Sequence, residues 1–225
     1  MGVSLLSLTV SRDAGIALIA CLGSNSRQML HARCPSFYQV LQPAPSKALK
    51  VLELGSGCGI IGIALASIRP NSHVILTDLP DAMELIEDNI AHSQLALGSR
   101  LSSIVLDWDR DLPEAITAEQ FHLVLVCDCT YNPDSIPALV KTLSALMARS
   151  PTVMIVVANK IRHDSELSFF DQMADVGLTE VEQLRIPLDG DYVEETEHAP
   201  QNIDIHVYFD EKLCRPESVE FLRAR

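Results

Sequence analysis

The chain has 225 residues, 48% hydrophobic and 21% charged, with a formal net charge of −13. That balance supplies a core and excludes a disordered chain, while the acidity excludes a general affinity for nucleic acid, which rests on clustered Lys and Arg. The six cysteines form no C-x-x-C pair, so neither a zinc site nor a disulfide framework is indicated, and no uncharged run is long enough to span a bilayer.

Unpaired cysteines point to a reducing compartment, so a cytoplasmic protein, with the nucleus as a second location, is expected. The apolar lead is interrupted by Arg12 and Asp13 and lacks a basic segment, which does not suit a signal peptide. No Pro/Gly/Ser-rich linker divides the chain, so 1–225 reads as one domain. Within it, 1–48 is an N-terminal helix and irregular connection, 49–210 the core and 211–225 a polar tail.

Residues 4–10 alternate in a β-capable pattern, and 13–22 read as a helix with one apolar face and Asp13 near its start. Residues 23–47 contain Pro35, Pro43 and Pro45 and read as a connection, with a helical turn or two around 28–31. From Leu49 onward, apolar runs of strand length alternate with helix-period segments, the pattern of a parallel sheet covered on both faces. The strands fall at 49–54, 73–77, 101–106, 122–127 and 153–158. Helices are expected at 60–68, 80–92, 113–118 and 133–148, with Pro80 and Pro133 at starts where a missing N–H costs nothing. A polar loop then leads to a helix at 165–176, stopped by Gly177. Two last strands, 180–186 and 203–209, have no helix between them and so pair antiparallel. The fold class is α/β, a Rossmann-like doubly wound seven-stranded sheet, mostly parallel with one antiparallel strand near the edge.

The first strand runs into Gly55-Ser56-Gly57-Cys58-Gly59 and then directly into a helix. Glycines there remove the Cβ atoms that would block a left-handed turn or the approach of a ligand to bare backbone, and the helix start offers unpaired N–H groups. Two cofactors fit this loop. Read from Gly57, the segment through Gly62 matches the dinucleotide fingerprint, with Asp78 in the place of a ribose-binding acid. Read from Glu53, an acid precedes the first glycine, which disfavours a pyrophosphate and suits a cofactor carrying an ammonium and a sulfonium.

Three further acids close strands. Asp78 ends the second, where it can accept from both hydroxyls of a ribose or cap the helix at Pro80. Asp107 and Trp108 follow the third, as an acceptor for an adenine amine beside a flat apolar face, or as a turn aspartate beside a core tryptophan. Asp128-Cys129-Thr130-Tyr131 follows the fourth, across the switch point, where polar groups can reach a second substrate. There Asp128 can hold an ammonium and Tyr131 can bound a narrow channel; the alternatives are a helix cap and a packed ring. The histidines show no metal-ligand spacing.

Together, Glu53-Leu54-Gly55-Ser56-Gly57-Cys58-Gly59, Asp78, Leu106-Asp107-Trp108 and Asp128-Cys129-Thr130-Tyr131 resemble the seven-stranded (class I) S-adenosylmethionine-dependent methyltransferases. Among these the likeness is to the lysine methyltransferase-like family with a D-x-x-Y motif after the fourth strand. It runs over about 13–209, with lesser matches at Asp13-Ala14-Gly15-Ile16-Ala17-Leu18, Phe169-Phe170 and His206-Val207-Tyr208-Phe209. The resemblance implies S-adenosyl-L-methionine as cofactor, bound by Glu53, Gly55, Ser56, Gly57, Gly59, Asp78, Leu79, Asp107, Trp108 and Cys127. It also implies catalysis by Asp128 and Tyr131 without a metal, and a protein substrate with an accessible lysine. A lysine of pKa ~10.4 must lose a proton before attack, and desolvation around Tyr131 favours the neutral amine. The chain departs from the family where members usually carry Trp just before the first helix, a place held by Arg12, and its N-terminal lead is short.

Two rivals stay open. A nicotinamide-dependent oxidoreductase rests on the shifted glycine pattern alone, and a cofactor-binding, non-catalytic protein on the same fold would explain the departure at Arg12. A monomer with neither nucleic-acid nor membrane partners is the remaining expectation. The segment 189–197, with five acids and no Lys or Arg, reads either as a solvated loop or as an attractor for a basic substrate segment.

Overall fold

The structure, a computed structural model, describes residues 12–22, 27–42, 48–187 and 202–210. Seven strands form one sheet: β1 (Leu49–Leu54), β2 (Ser72–Asp78), β3 (Arg100–Val105), β4 (Leu123–Cys127), β5 (Met154–Asn159), β6 (Leu178–Pro187) and β7 (Asn202–Asp210). Their order is β3-β2-β1-β4-β5-β7-β6. β1 to β5 pair in parallel, and β7 is antiparallel to both β5 and β6. The reversed strand is therefore second from the edge, and the chain switches direction across the sheet between β1 and β4.

Alternation along the strands divides the core in two. Val51 faces a layer built on α1 (Arg12–Leu22), α2 (Arg27–Arg33), α3 (Pro35–Val40), α4 (Ile60–Ile68) and α5 (Met83–Ala91), where it joins Leu18, Phe37, Leu65 and Ile86. Leu52 and Leu54 face the opposite layer, α6 (Glu114–Thr117), α7 (Ile136–Arg149) and α8 (Ser168–Asp175), with Ile116, Leu143 and Phe169. Every residue of β4 is buried, which explains its unbroken apolar run. Each fully buried leucine contributes about 1.5–3 kcal/mol of transfer free energy.

Three helices read from the sequence as continuous begin as tight 3₁₀ turns: Pro80–Ala82 before α5, Pro133–Ser135 before α7 and Asp164–Leu167 before α8. In the first two, proline fixes φ and removes a donor, which suits a first turn that need not bond backwards. A larger difference lies in the connection at 23–47, which holds both α2 and α3. The start of α3 is capped from afar: Glu182 of β6 accepts from the N–H groups of Ser36 (2.8 Å) and Phe37 (3.4 Å). Neither helix is long enough to establish a period. The expected strand at 4–10, the segment 189–197 and the tail at 211–225 lie outside the described residues, and Asp13 falls inside α1, which begins at Arg12.

Candidate functional site

The glycine loop sits at the carboxyl end of β1. Gly55 has φ +62° and Gly57 φ +58°, a region that costs other residues roughly 1–2 kcal/mol. Gly55 carries a second constraint, because a Cβ there would lie 2.6 Å from Cys129 Sγ and 3.2 Å from Trp108 Cζ2. At Gly57 nothing stands within 4 Å of that position, so its backbone faces open space. The loop is tied to β2 and α5: Ser56 N–H donates to Thr77 O (2.9 Å), Thr77 N–H to Ser56 Oγ (3.0 Å) and Asn89 Nδ2 to Cys58 O (2.8 Å). Ser56 is buried, and its hydroxyl is committed to this scaffold.

Glu53, the last inward-facing residue of β1 on the α4 side, is 2% exposed. Its Oε2 accepts from Gly62 N–H at 2.8 Å, one of the first-turn donors of α4 that have no partner inside the helix. Gly62 makes this possible, since a Cβ there would lie 2.5 Å from the same oxygen and 2.3 Å from Leu76 Cδ2. Burial pushes the Glu53 carboxyl up to about 8, more than the Gly62 N–H pulls it down, and the Asp78 charge adds to the rise. Among the described residues no cationic side chain is ion-paired with Glu53.

Asp78 stands at the end of β2 and faces the loop. Its Oδ2 accepts from Gly57 N–H and its Oδ1 from Leu79 N–H, both at 2.7 Å. Each oxygen keeps a further lone pair toward the open side. The 3₁₀ turn that follows has Leu79 at its N-cap, so Asp78 does not act as that cap; Leu79 itself is 51% exposed at the lip of the site. Leu106 N–H donates to Asp78 O (2.9 Å), which brings the end of β3 alongside. There Asp107 closes its own turn, accepting from Asp109 N–H (3.1 Å) and Arg110 Nε (3.2 Å), while the Trp108 ring lies across Gly55.

At the end of β4, Asp128 has φ +49°, a conformation that redirects the chain. Residues two apart in a strand share a face, yet Cys127 packs in the α1/α4 layer and Cys129 in the opposite one. The Cys127 thiol is buried and pushed far up by that burial, a core contact beneath the site rather than an exposed ligand. Cys129 donates to Cys127 O (3.2 Å) and Leu54 O (3.4 Å) and fills the space that a glycine at 55 leaves.

Asp128 differs from the open carboxylate expected at this position. Its side chain is 3% exposed and ion-paired with Arg162 at 3.4 Å, and its Oδ1 also accepts from Lys160 N–H at 3.2 Å. Oδ2 is buried without a hydrogen bond of good geometry, although the Ala14 backbone of α1 also favours the charged form. Burial raises this carboxyl and Arg162 opposes the rise. An ammonium arriving at Asp128 therefore meets a guanidinium already in place. Arg162 belongs to the connection after β5, which Glu166 organises: its carboxylate accepts from Arg162 N–H (3.0 Å), His163 N–H (3.1 Å) and the Thr130 hydroxyl (3.2 Å). Tyr131 is 62% exposed, so it is not a packed ring, and the cap of the next turn is Asn132 rather than Asp128.

Glu53, Gly55, Gly57, Gly59, Asp78, Leu79, Asp107 and Trp108 thus gather around one loop at the ends of three adjacent strands, with Asp128 and Tyr131 on the fourth. Cys129, Thr77, Asn89 and Arg162 complete the site through contacts that no local motif marks. Open backbone at Gly57, a carboxylate with spare acceptor capacity, an indole and a buried acid without a cation together fit a nucleoside bearing a positive charge.

A Rossmann-like sheet with this loop and this acid defines a nucleoside-binding α/β domain. The chain belongs to the lysine methyltransferase family, whose pattern matches residues 11–176. It is 36% identical over 127 residues to a UPF0665 family protein of Schizosaccharomyces pombe, covering 56% of this chain and 38% of that one. With EEF1A lysine methyltransferase 3 of Mus musculus it is 35% identical over 120 residues, covering 53% and 50%. The chain therefore spans half or less of the length of these relatives. Its fold matches a TehB-like SAM-dependent methyltransferase of Corynebacterium glutamicum, with a TM-score of 0.51 and 14% identity over 92% of each chain, a likeness of fold alone.

Proposed function

We propose that this chain is an S-adenosylmethionine-dependent methyltransferase that modifies a lysine of a protein substrate, acting as a single domain and a monomer in the cytoplasm and nucleus. The observation that carries the reading is Glu53, a buried carboxyl beside the glycine loop with no cationic partner among the described residues. It suits the ammonium of an amino-acid cofactor. A pyrophosphate would instead meet the Asp78 carboxylate and, being an anion, would gain nothing from the buried Glu53 carboxyl, which argues against the nicotinamide alternative.

When bound, the cofactor supplies a methyl group already activated on a sulfonium. In this reading Asp78 accepts from the ribose hydroxyls with the lone pairs left over from Gly57 and Leu79, and Trp108 offers its ring to the base. Tyr131, exposed at the end of β4, meets the acceptor. Asp128 lies behind it, its carboxylate already paired with Arg162, so that it shapes the acceptor side through that pair, and exclusion of water there favours the neutral amine that attacks. The net charge of −13 favours a basic protein surface over nucleic acid as partner.

The experiment pairs calorimetric titration with S-adenosylhomocysteine and NAD against transfer of a labelled methyl group into proteins of a cell extract. Binding of S-adenosylhomocysteine with labelling of a lysine is expected. Binding of NAD with no response to S-adenosylhomocysteine would overturn the assignment, and cofactor binding without transfer would leave the non-catalytic reading.

A further inference from the structure

At the other end of α4 from the glycine loop stands a buried cation that the methyltransferase reading does not use. Arg69 caps the helix, its N–H donating to Leu65 O (2.8 Å), and its carbonyl oxygen accepts from the hydroxyls of Ser72 (2.9 Å) and Ser99 (2.8 Å). The backbone is thereby fixed, and the residue is only 5% exposed. Its Nη1 donates to Pro70 O, while Nε is buried and makes no hydrogen bond. Among the described residues no carboxylate is ion-paired with Arg69.

A guanidinium stays protonated in proteins, so it cannot relieve burial by losing its charge. Leaving such a group buried without a counter-ion is strongly unfavourable. The negative end of the α4 dipole accounts for a cation at this place but not for its burial beside a largely apolar cavity. Arg69 lines this cavity of about 80 Å³ together with Leu22 of α1, Leu30 of α2, Tyr38 of α3 and Gln42, with Ile68 of α4 half-exposed at its rim. Since a 150 Å³ apolar cavity takes benzene, this one suits a tail of roughly three or four carbons. A carboxylate offers the guanidinium two parallel acceptors, whereas a phosphate would bring a strongly hydrated charge against apolar walls.

We propose that this cavity binds a short-chain aliphatic monocarboxylate, with its carboxylate on Arg69 and its tail among Leu22, Leu30 and Ile68. The site is separate from the glycine loop, so the proposal stands independently of the assigned activity.

The test uses the purified full chain and three probes: butyrate, its neutral isostere butyramide, and inorganic phosphate. At about ten times its dissociation constant, set by calorimetry, butyrate should raise Tm by roughly 3–6 °C, and the other two should leave it unchanged. Arg69→Met should abolish the butyrate shift while leaving S-adenosylhomocysteine binding as in the parent. If that variant does not fold, the comparison of butyrate with butyramide on the parent decides the matter. No butyrate response in the parent, an equal response to butyramide or phosphate, or an undiminished shift in Arg69→Met would overturn the proposal.

Discussion

Removing the charge of Glu53 should stabilise the cofactor-free protein, and only at neutral to alkaline pH. The folded carboxyl titrates near 8 against an ordinary 4.5. Between those values the folded chain keeps a proton that the unfolded chain has released, so stability falls as pH rises through that window and levels off above it. The full displacement corresponds to an upper bound of about 5 kcal/mol; with the higher effective dielectric of real interiors, roughly 2–3 kcal/mol is expected. Glu53→Gln keeps an amide oxygen for Gly62 N–H but has no charge to desolvate. At pH 5 variant and parent should melt within a degree or two of each other, and at pH 9 the variant should melt about 5–10 °C higher. The assay is thermal unfolding by circular dichroism from pH 5 to 9 at constant ionic strength. A gap that does not change with pH, or a variant less stable than the parent at pH 9, would refute the reasoning. The same chemistry has a counterpart in binding: an ammonium seated beside Glu53 draws its proton off, so S-adenosylmethionine should release a proton at pH 7, read from the buffer dependence of the calorimetric enthalpy.

Gly62→Ala should lower Tm by up to about 8 °C in calorimetry, because overpacking against Leu76 and Glu53 costs about 1–3 kcal/mol and at least cancels the ~1 kcal/mol of helix propensity gained; a rise in Tm contradicts it. Asp78→Ala, which removes two charge-assisted loop bonds, should weaken S-adenosylhomocysteine at least about tenfold. Asp128→Asn should chiefly reduce the transfer rate, and equal affinity losses in the two variants would show that this division of labour is wrong. Arg162→Ala leaves the Asp128 carboxylate buried without its cation. It should cost about 1–3 kcal/mol in urea titration at pH 7, less than for a fully enclosed pair because Arg162 is partly exposed. Losing the guanidinium raises Asp128 further, so the deficit should shrink as pH falls and the carboxyl takes its proton; an equal deficit at pH 4.5 and 7 counts against the pairing.

Much of this fold is legible in the sequence because its period changes coincide with punctuation. β1 and α4 are recognisable to the residue, since an apolar run meets three glycines and then a helical repeat. The acids at strand ends follow from topology, because parallel strands bring their carboxyl ends to one side of the sheet. What stays hidden is set at long range. α3 takes its cap from Glu182 of β6, Asp128 its counter-ion from Arg162, and Gly55 its steric demand from Cys129 and Trp108. A lone aspartate after a strand looks equally ready for a ligand or for an arginine elsewhere in the chain, and only the packing tells them apart.

The two walls of the site hang on strands of unequal protection. β4 is buried at every residue and flanked by β1 and β5, whereas β3, the strand leading to Asp107 and Trp108, pairs among the described residues only with β2 and is partly exposed along its length. Amides of β1 and β4 should exchange with deuterium only through global unfolding, while those of β3 open locally. Of the two walls of the site, the indole side is thus the one that breathes. A ligand can be admitted and released by a slight lifting of that margin, while the strands holding Glu53 and Asp128 stay closed.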